Sequence, residues 1–205
     1  MSMYEKCVTA MAEGTLILFG SYFWRVLDLD TSSNKALLLS DKIVSTGVYH
    51  KKREYITWEN CSLRQKLNDE FYREFQQKEN VAILKTVLKN KSNPWYGADG
   101  GNDTEDYIFL LSLDEVVKYF GDSGQLEKQP DDLPYYIDDQ FNITRLAYTM
   151  KGSPHWWWLR TPGHLCHRIV YVNSDGQIRI DGRGVGCDVH GIRPALWLDL
   201  DAVVS

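Results

Sequence analysis

Residues 168–181 read Arg-Ile-Val-Tyr-Val-Asn-Ser-Asp-Gly-Gln-Ile-Arg-Ile-Asp. Two β-rich runs, Arg168 to Val172 and Gln177 to Asp181, flank Asn173-Ser174-Asp175-Gly176. A short turn with glycine between two such runs is a hairpin signal. Working outward, Trp156-Trp157-Trp158-Leu159 reads as a strand before the hairpin. Ile192 to Leu200 reads as a strand after it, with Pro194 marking an edge position or a bulge because proline has no N–H to give a ladder. The last fifty residues are therefore expected to be β structure.

The first forty residues repeat the pattern. Residues 15–19, 22–29 and 35–40 are strand-like. Gly20 and the turn-rich Thr31-Ser32-Ser33-Asn34 separate them, connections too short for a helical crossover, so an antiparallel meander is expected. Between residues 58 and 75 the period changes. Leu63, Leu67, Phe71 and Phe75 recur every fourth residue with Arg64, Lys66, Asp69, Glu70 and Arg73 among them, which predicts an amphipathic helix capped by Thr57 or Asn60. Asp106 to Leu111 reads as a buried strand. Ser112-Leu-Asp-Glu115 is a capping-box pattern that opens a second helix ending at Gly121. Residues 89–105 and 121–142 are polar and read as long surface loops. No repeat or linker divides the chain, so residues 1–205 are expected to form one α+β domain with mostly antiparallel sheet.

Composition narrows the function. A chain of 205 residues with 43% hydrophobic and 25% charged residues can bury a core without metal or disulfide staples. The net charge is −5 and the longest basic run is Lys51-Lys52-Arg53. Nucleic-acid binding, which wants a basic stripe, is not expected. No apolar run reaches the roughly 18 residues of a membrane helix, and no basic-then-apolar leader opens the chain. Membrane insertion is not expected, and the implied location is cytoplasmic or on a phage virion. Cys7, Cys61, Cys166 and Cys187 lie far apart with no C-x-x-C, which favours reduced thiols.

Chemically varied side chains concentrate between residues 160 and 191, in two short loops on an apolar frame. Cys166, His167, Cys187 and His190 make a donor set suited to zinc, but adjacent Cys166-His167 is poor ligand spacing, so no metal is expected. Thiol catalysis by Cys166 or Cys187 lacks a paired base in the sequence. The reading carried forward is a non-catalytic, cofactor-free recognition face. Its contacts would be His164, Leu165, Cys166, His167, Arg168, Tyr171, Arg183, Cys187, Asp188 and His190, and its partner a protein ligand. Few aromatics lie in loops 164–168 and 183–190, which implies modest affinity. Trp156 and Trp158 fall on one face of a strand and are expected to pack in the core. Arg193 is expected to anchor a loop through backbone carbonyls. Asp131, Asp132, Asp138 and Asp139 fit no calcium-loop spacing. Gly97-Ala-Asp-Gly-Gly101 lacks the lysine and helix of a phosphate loop.

Several of these segments together resemble the bacterial DUF6273 domain: Gly20-Ser-Tyr-Phe-Trp24-Arg25-Val-Leu-Asp28; Thr57-Trp58-Glu59-Asn60-Cys61-Ser62-Leu63-Arg64 with Leu67-Asn68; Phe109-Leu-Leu-Ser112-Leu-Asp-Glu115; Trp157-Trp158-Leu159-Arg160-Thr-Pro162-Gly163; and Gly191-Ile-Arg193-Pro194-Ala195-Leu196. The closing pattern is similar to that of C-type-lectin-fold proteins related to formylglycine-generating enzymes. The resemblance implies a small twisted sheet carrying two helices, with a ligand face near residues 156–200 and the terminal strands paired. It also implies two functional readings. One is a variable protein of a diversity-generating retroelement, of the kind found in phage and gut bacteria. The other is a metal-bearing or formylglycine-generating-like oxidoreductase using Cys166 and Cys187. Adenine-directed mutagenesis of Asn-type codons cannot yield Lys, Glu, Gln, Met or Trp, and none of these occurs in 164–168 or 183–190.

Overall fold

A computed structural model describes residues 1–128, 135–165 and 167–202, so Cys166, Asp131 and Asp132 lie outside the described residues. The protein is mixed α+β and mostly sheet. The first helix, α1 (Met3–Glu13), has both halves of a capping box between Ser2 and Glu5 and ends at Gly14 with φ 67°. The meander follows as β1 (Leu16–Phe19), β2 (Tyr22–Asp30) and β3 (Lys35–Ser40), then the short β4 (Lys42–Ile43) and β5 (Ser45–Thr46). After α2 (Ser62–Lys66) and α3 (Gln77–Asn80) come β6 (Ile83–Leu84), β7 (Thr86–Leu88) and β8 (Thr104–Asp106), then α4 (Leu113–Phe120), β9 (Tyr136–Ile137), α5 (Asn142–Arg145) and β10 (Tyr148–Thr149). The chain closes with β11 (Trp157–Pro162), β12 (Arg168–Val172), β13 (Ile178–Gly184), β14 (Gly191–Ile192) and β15 (Ala195–Asp199).

Two sheets dominate. One has the order β1-β2-β3-β15-β6 and the other β5-β14-β11-β12-β13-β9. The meander is antiparallel as expected. The two ends of the chain meet in the first sheet, where Ala195 to Asp199 pairs with Lys35 to Leu39. The expected single strand 192–200 is two. Gly191–Ile192 pairs with Ser45–Thr46 in the six-stranded sheet, and the chain then changes sheets at Arg193-Pro194. Proline cannot continue a ladder as donor, and its carbonyl instead takes the Ser40 N–H at 2.9 Å.

The expected helix 58–75 is a chain of helical turns: a 3₁₀ turn at Trp58–Asn60, α2, a π-helical turn at Leu67–Phe71 and a 3₁₀ turn at Tyr72–Glu74. The spacing explains this. A strict repeat of four drifts by about 40° per step on a helix of ~3.6 residues per turn. The wider π turn, with its i→i+5 bonds, takes that drift back. Leu63, Leu67, Phe71 and Phe75 all end up buried.

The expected strand 106–111 is also shorter. β8 ends at Asp106, and only Phe109 bridges onward, exchanging two backbone bonds with Ala195 at 2.9 and 2.7 Å. Between them the Asn68 amide replaces a neighbouring strand, accepting from the Tyr107 and Ile108 N–H groups and donating to the Ile108 carbonyl. Its helix neighbour Arg64 holds Asp106 at 2.6 Å, and the Trp58 indole donates to the same carboxylate. α4 starts with the expected Ser112–Glu115 capping box and ends at Gly121. One hydrophobic cluster joins these layers from Cys7 to Leu200. Among the described residues, no helix is long and apolar enough to cross a membrane.

Candidate functional site

Strands β11, β12 and β13 form the platform. Every residue of β11 is buried, because the sheet is covered on both faces. Trp157 points to the side where the Arg193 guanidinium lies 5.0 Å from its ring. Trp158, register partner of Tyr171, points to the other. Trp156 joins Trp158 there, as the two-residue period requires, with both rings near Tyr171. Residues 185–190 must travel from Gly184, paired with Arg168, to Gly191, paired with Trp157. They cross β12 and β11 on the way and roof the Trp158 face.

That crossing delivers His190 into an aromatic box. Its ring is stacked on Trp158 at 4.0 Å, with Tyr171 at 4.8 Å and Trp156 at 5.1 Å. The side chain is fully buried, and among the described residues neither ring nitrogen has a hydrogen-bond partner. Burial, then the nearby Arg183 charge, push the imidazole pKa down to about 3, so His190 is neutral.

The sequence-derived contact set therefore divides. His164, Leu165, Arg183 and Asp188 are exposed, while His167, Arg168 and Cys187 are half-buried. Tyr171 and His190 lie inside the protein. They cannot serve as display side chains, because the strand period and the returning loop turn both rings under the roof. The two loops do come together, with the Val185 N–H donating to the His167 carbonyl at 3.0 Å. His167 is also 3.1 Å from the Arg53 guanidinium.

Several residues at the site had no signal in the local sequence. Asn93, buried within the expected surface loop 89–105, donates to the Pro162 and Ile180 carbonyls at 2.8 and 3.1 Å. Its side-chain oxygen accepts from the Trp95 and Tyr96 N–H groups. Tyr96 is thereby held against His164, ring to ring at 4.5 Å. Tyr135, 45% exposed, takes the Ile180 N–H on its carbonyl. On β13 the Arg179 guanidinium lies 5.0 Å from the Tyr136 ring. Arg168 and Arg179 share one carboxylate, Asp181, at 3.2 and 3.4 Å. Arg183 stands on the same strand with no ion-pair partner among the described residues. Three guanidiniums and four rings (Tyr96, Tyr135, Tyr136, His164) thus occupy one end of the sheet, with two carboxylates, Asp181 between Arg168 and Arg179 and Asp188 in the adjoining loop. Loops 164–168 and 183–190 carry no Phe, Trp or Tyr of their own; the tyrosines beside them arrive from segments distant in sequence.

The remaining reactive groups are used in holding the frame. Arg160 makes a two-pronged pair with Glu115 at 2.5 and 2.9 Å and donates to the Leu110 carbonyl. Arg145 is fully buried on Asp139 and the Gly121 carbonyl, both at 2.7 Å. Asp138 takes the Asn142 and Gln177 amides. Arg193 donates to the Ser40 carbonyl at 3.0 Å, the anchoring role expected of it, and burial lowers its pKa to about 9. Burial pushes the Cys7 and Cys61 thiols up to about 11 and 12, away from the thiolate form that nucleophiles need. Of the candidate zinc donors, His190 is boxed, and Cys166 lies outside the described residues. Among the described residues, no three His, Cys, Asp or Glu side chains gather as a metal site.

The model of the family described as "Domain of unknown function (DUF6273)" matches residues 33–200. No curated protein and no solved structure matches the chain.

Proposed function

This chain belongs to the DUF6273 family, and we propose that it is a recognition protein without catalytic activity, binding an acidic protein partner at the β12–β13 end of its six-stranded sheet. The observation that carries this is the charge balance there. Three guanidiniums, Arg168, Arg179 and Arg183, stand against two carboxylates there, Asp181, which pairs with the first two, and Asp188 in the adjoining loop, in a chain whose net charge is −5. Guanidiniums beside tyrosine rings are the side chains that dominate protein interfaces, and their fork suits carboxylates. Exposed His164, Leu165, Arg183 and Asp188 supply the variable rim, while Asn93, Arg160 and the His190 box keep the platform rigid beneath it. A C-type-lectin-type fold is part of the proposal, supported by the pairing of β3 with β15 and by the α2 and α4 helices beside a twisted sheet. A retroelement-diversified face fits the exposed loop positions and leaves out the buried His190 and Tyr171.

The test is selection from a random peptide display library on the immobilised protein. Recovered peptides should be rich in Asp and Glu and should be lost with an Arg179→Ala/Arg183→Ala variant that melts like the parent. Peptides without acidic enrichment, or peptides held equally by the variant, would refute the proposal.

A further inference from the structure

Away from the arginine face, two adjoining hollows of about 250 and 390 Å³ share a wall made by Leu63, Lys66, Glu70 and Ile192. They form one groove between the helical turns 62–74 and residues 44–48. The first hollow is apolar below, where Val44, Leu67 and Phe71 join the shared wall. The second carries Lys51 and Asp69 and is flanked by Gly47 and Val48. The ionic groups of the groove are not equivalent. Asp69 is held by Arg73 at 2.5 Å, and Glu74 accepts the Tyr22 hydroxyl. Lys51, Lys66 and Glu70 have no ion-pair partner among the described residues. Lys66 and Glu70 stand four apart, a spacing that brings side chains together on an α-helix, yet across the π turn they remain unpaired. Wide π turns recur at functional sites.

One side of the groove is a sheet edge. β5 is the outermost strand of the six-stranded sheet and, among the described residues, pairs with β14 alone. The Val44 and Gly47 N–H groups go to the Ile192 and His190 carbonyls and the Gly47 carbonyl takes the Trp158 indole N–H, so the outward backbone groups of this edge are those of Ser45–Thr46. Ser45 of β5 lines the first hollow and Gly47 follows in the second. An exposed edge beside an apolar hollow is the geometry that accepts an added strand.

We infer that this groove binds the C-terminal residue of a polypeptide. The ligand chemistry is an apolar side chain next to a free carboxylate. The side chain enters the hollow over Leu67 and Phe71, the carboxylate lies between Lys51 and Lys66, and an amide N–H meets Glu70. The β5 edge favours a chain end over a free amino acid, because only a chain has further backbone groups to pair with it. The site does not depend on the arginine face.

The experiment titrates the uniformly labelled protein with the peptide Gly-Ser-Gly-Ser-Leu and follows amide shifts by NMR. The expected result is saturable shifts at 44–48 and 62–71. Amidating the C terminus, or substituting Lys66→Gln, should weaken binding at least about tenfold, the equivalent of ~1.4 kcal/mol. The Lys66→Gln melting temperature should match the parent, and Arg179→Ala/Arg183→Ala should bind the peptide normally. No saturable shift at millimolar peptide, equal binding of the amidated form, or an unaffected Lys66→Gln would overturn the inference. Free leucine binding as tightly as the peptide would overturn the chain-end assignment.

Discussion

The imidazole of His190 stacks on the indole of Trp158 with ring centroids 4.0 Å apart and planes 18° from parallel. Among the described residues, nothing accepts or donates a hydrogen bond at either ring nitrogen. A buried polar group left this way costs about 1–3 kcal/mol, so the stack holds the roof of residues 185–190 at a local expense in stability.

That arrangement makes stability depend on pH. The folded imidazole titrates near 3 against an ordinary 6.5, so between those values the unfolded chain binds more protons. The contribution is complete above ~6.5 and is lost as the pH falls towards 3. His190→Phe keeps the ring and removes the titration. In urea melts the variant should match or exceed the parent at pH 7.5 and lead it by roughly 2–3 kcal/mol more at pH 4.5. A difference between the two that is the same at both pH values would show that His190 is not held neutral.

Thiol reactivity should follow burial. With pKa values pushed up to about 11 and 12, Cys7 and Cys61 should resist a disulfide-exchange reagent at pH 8 in the native protein and react fully in denaturant. Peptide mapping of the labelled sites reads this directly. Rapid native labelling of Cys61 would contradict its burial in the frame.

The Arg160–Glu115 pair ties β11 to α4. Arg160 is nearly fully buried, and removing its charge leaves Glu115 with only the Ser112 N–H of the capping box and takes the Arg160 donor from the Leu110 carbonyl. Arg160→Leu should therefore cost about 3–5 kcal/mol in a denaturant titration. A loss below ~1 kcal/mol would mean the arginine is free for ligand, contrary to its placement in the frame.

Rim and platform should separate in one comparison. Replacing His164, Leu165, Arg183 and Asp188 together by Ser removes exposed groups worth within about 0.5 kcal/mol each. Together they come to about 2 kcal/mol at most, so the melting temperature should fall by no more than about 8 °C, at ~2–4 °C per kcal/mol for this size. Adding His190→Ser should drop it much further, by opening a hole among three rings. Equal melts for the two variants would place His190 on the surface set after all.

The strands of the meander and of the closing hairpin were legible because their alternation and turn residues are local. So was the Ser112 cap. The Ser2–Glu5 capping box and the Gly14 stop were equally readable, but Tyr4, Val8 and Met11 leave α1 with a partly exposed apolar side and blur its periodicity. The repeat Leu63-Leu67-Phe71-Phe75 announced a helix, and its strict four-residue spacing also held the clue to the π turn. The site was half legible. Its loops are local features, whereas Asn93 reaching Pro162, or Tyr96 resting on His164, spans about seventy residues and leaves no pattern in either segment. His190 was misread for the same reason, since its burial depends on where the loop rejoins β11.

The central claim is that the arginine face reads acidic partners. Its most direct test is fluorescence anisotropy with the tightest acidic peptide from the display selection, comparing the parent with Arg179→Glu/Arg183→Glu. The account predicts that charge reversal weakens the Kd by at least about a hundredfold, ~2.7 kcal/mol, and that raising salt weakens the parent's binding as screening shortens. An unchanged Kd for the charge-reversed protein would contradict it.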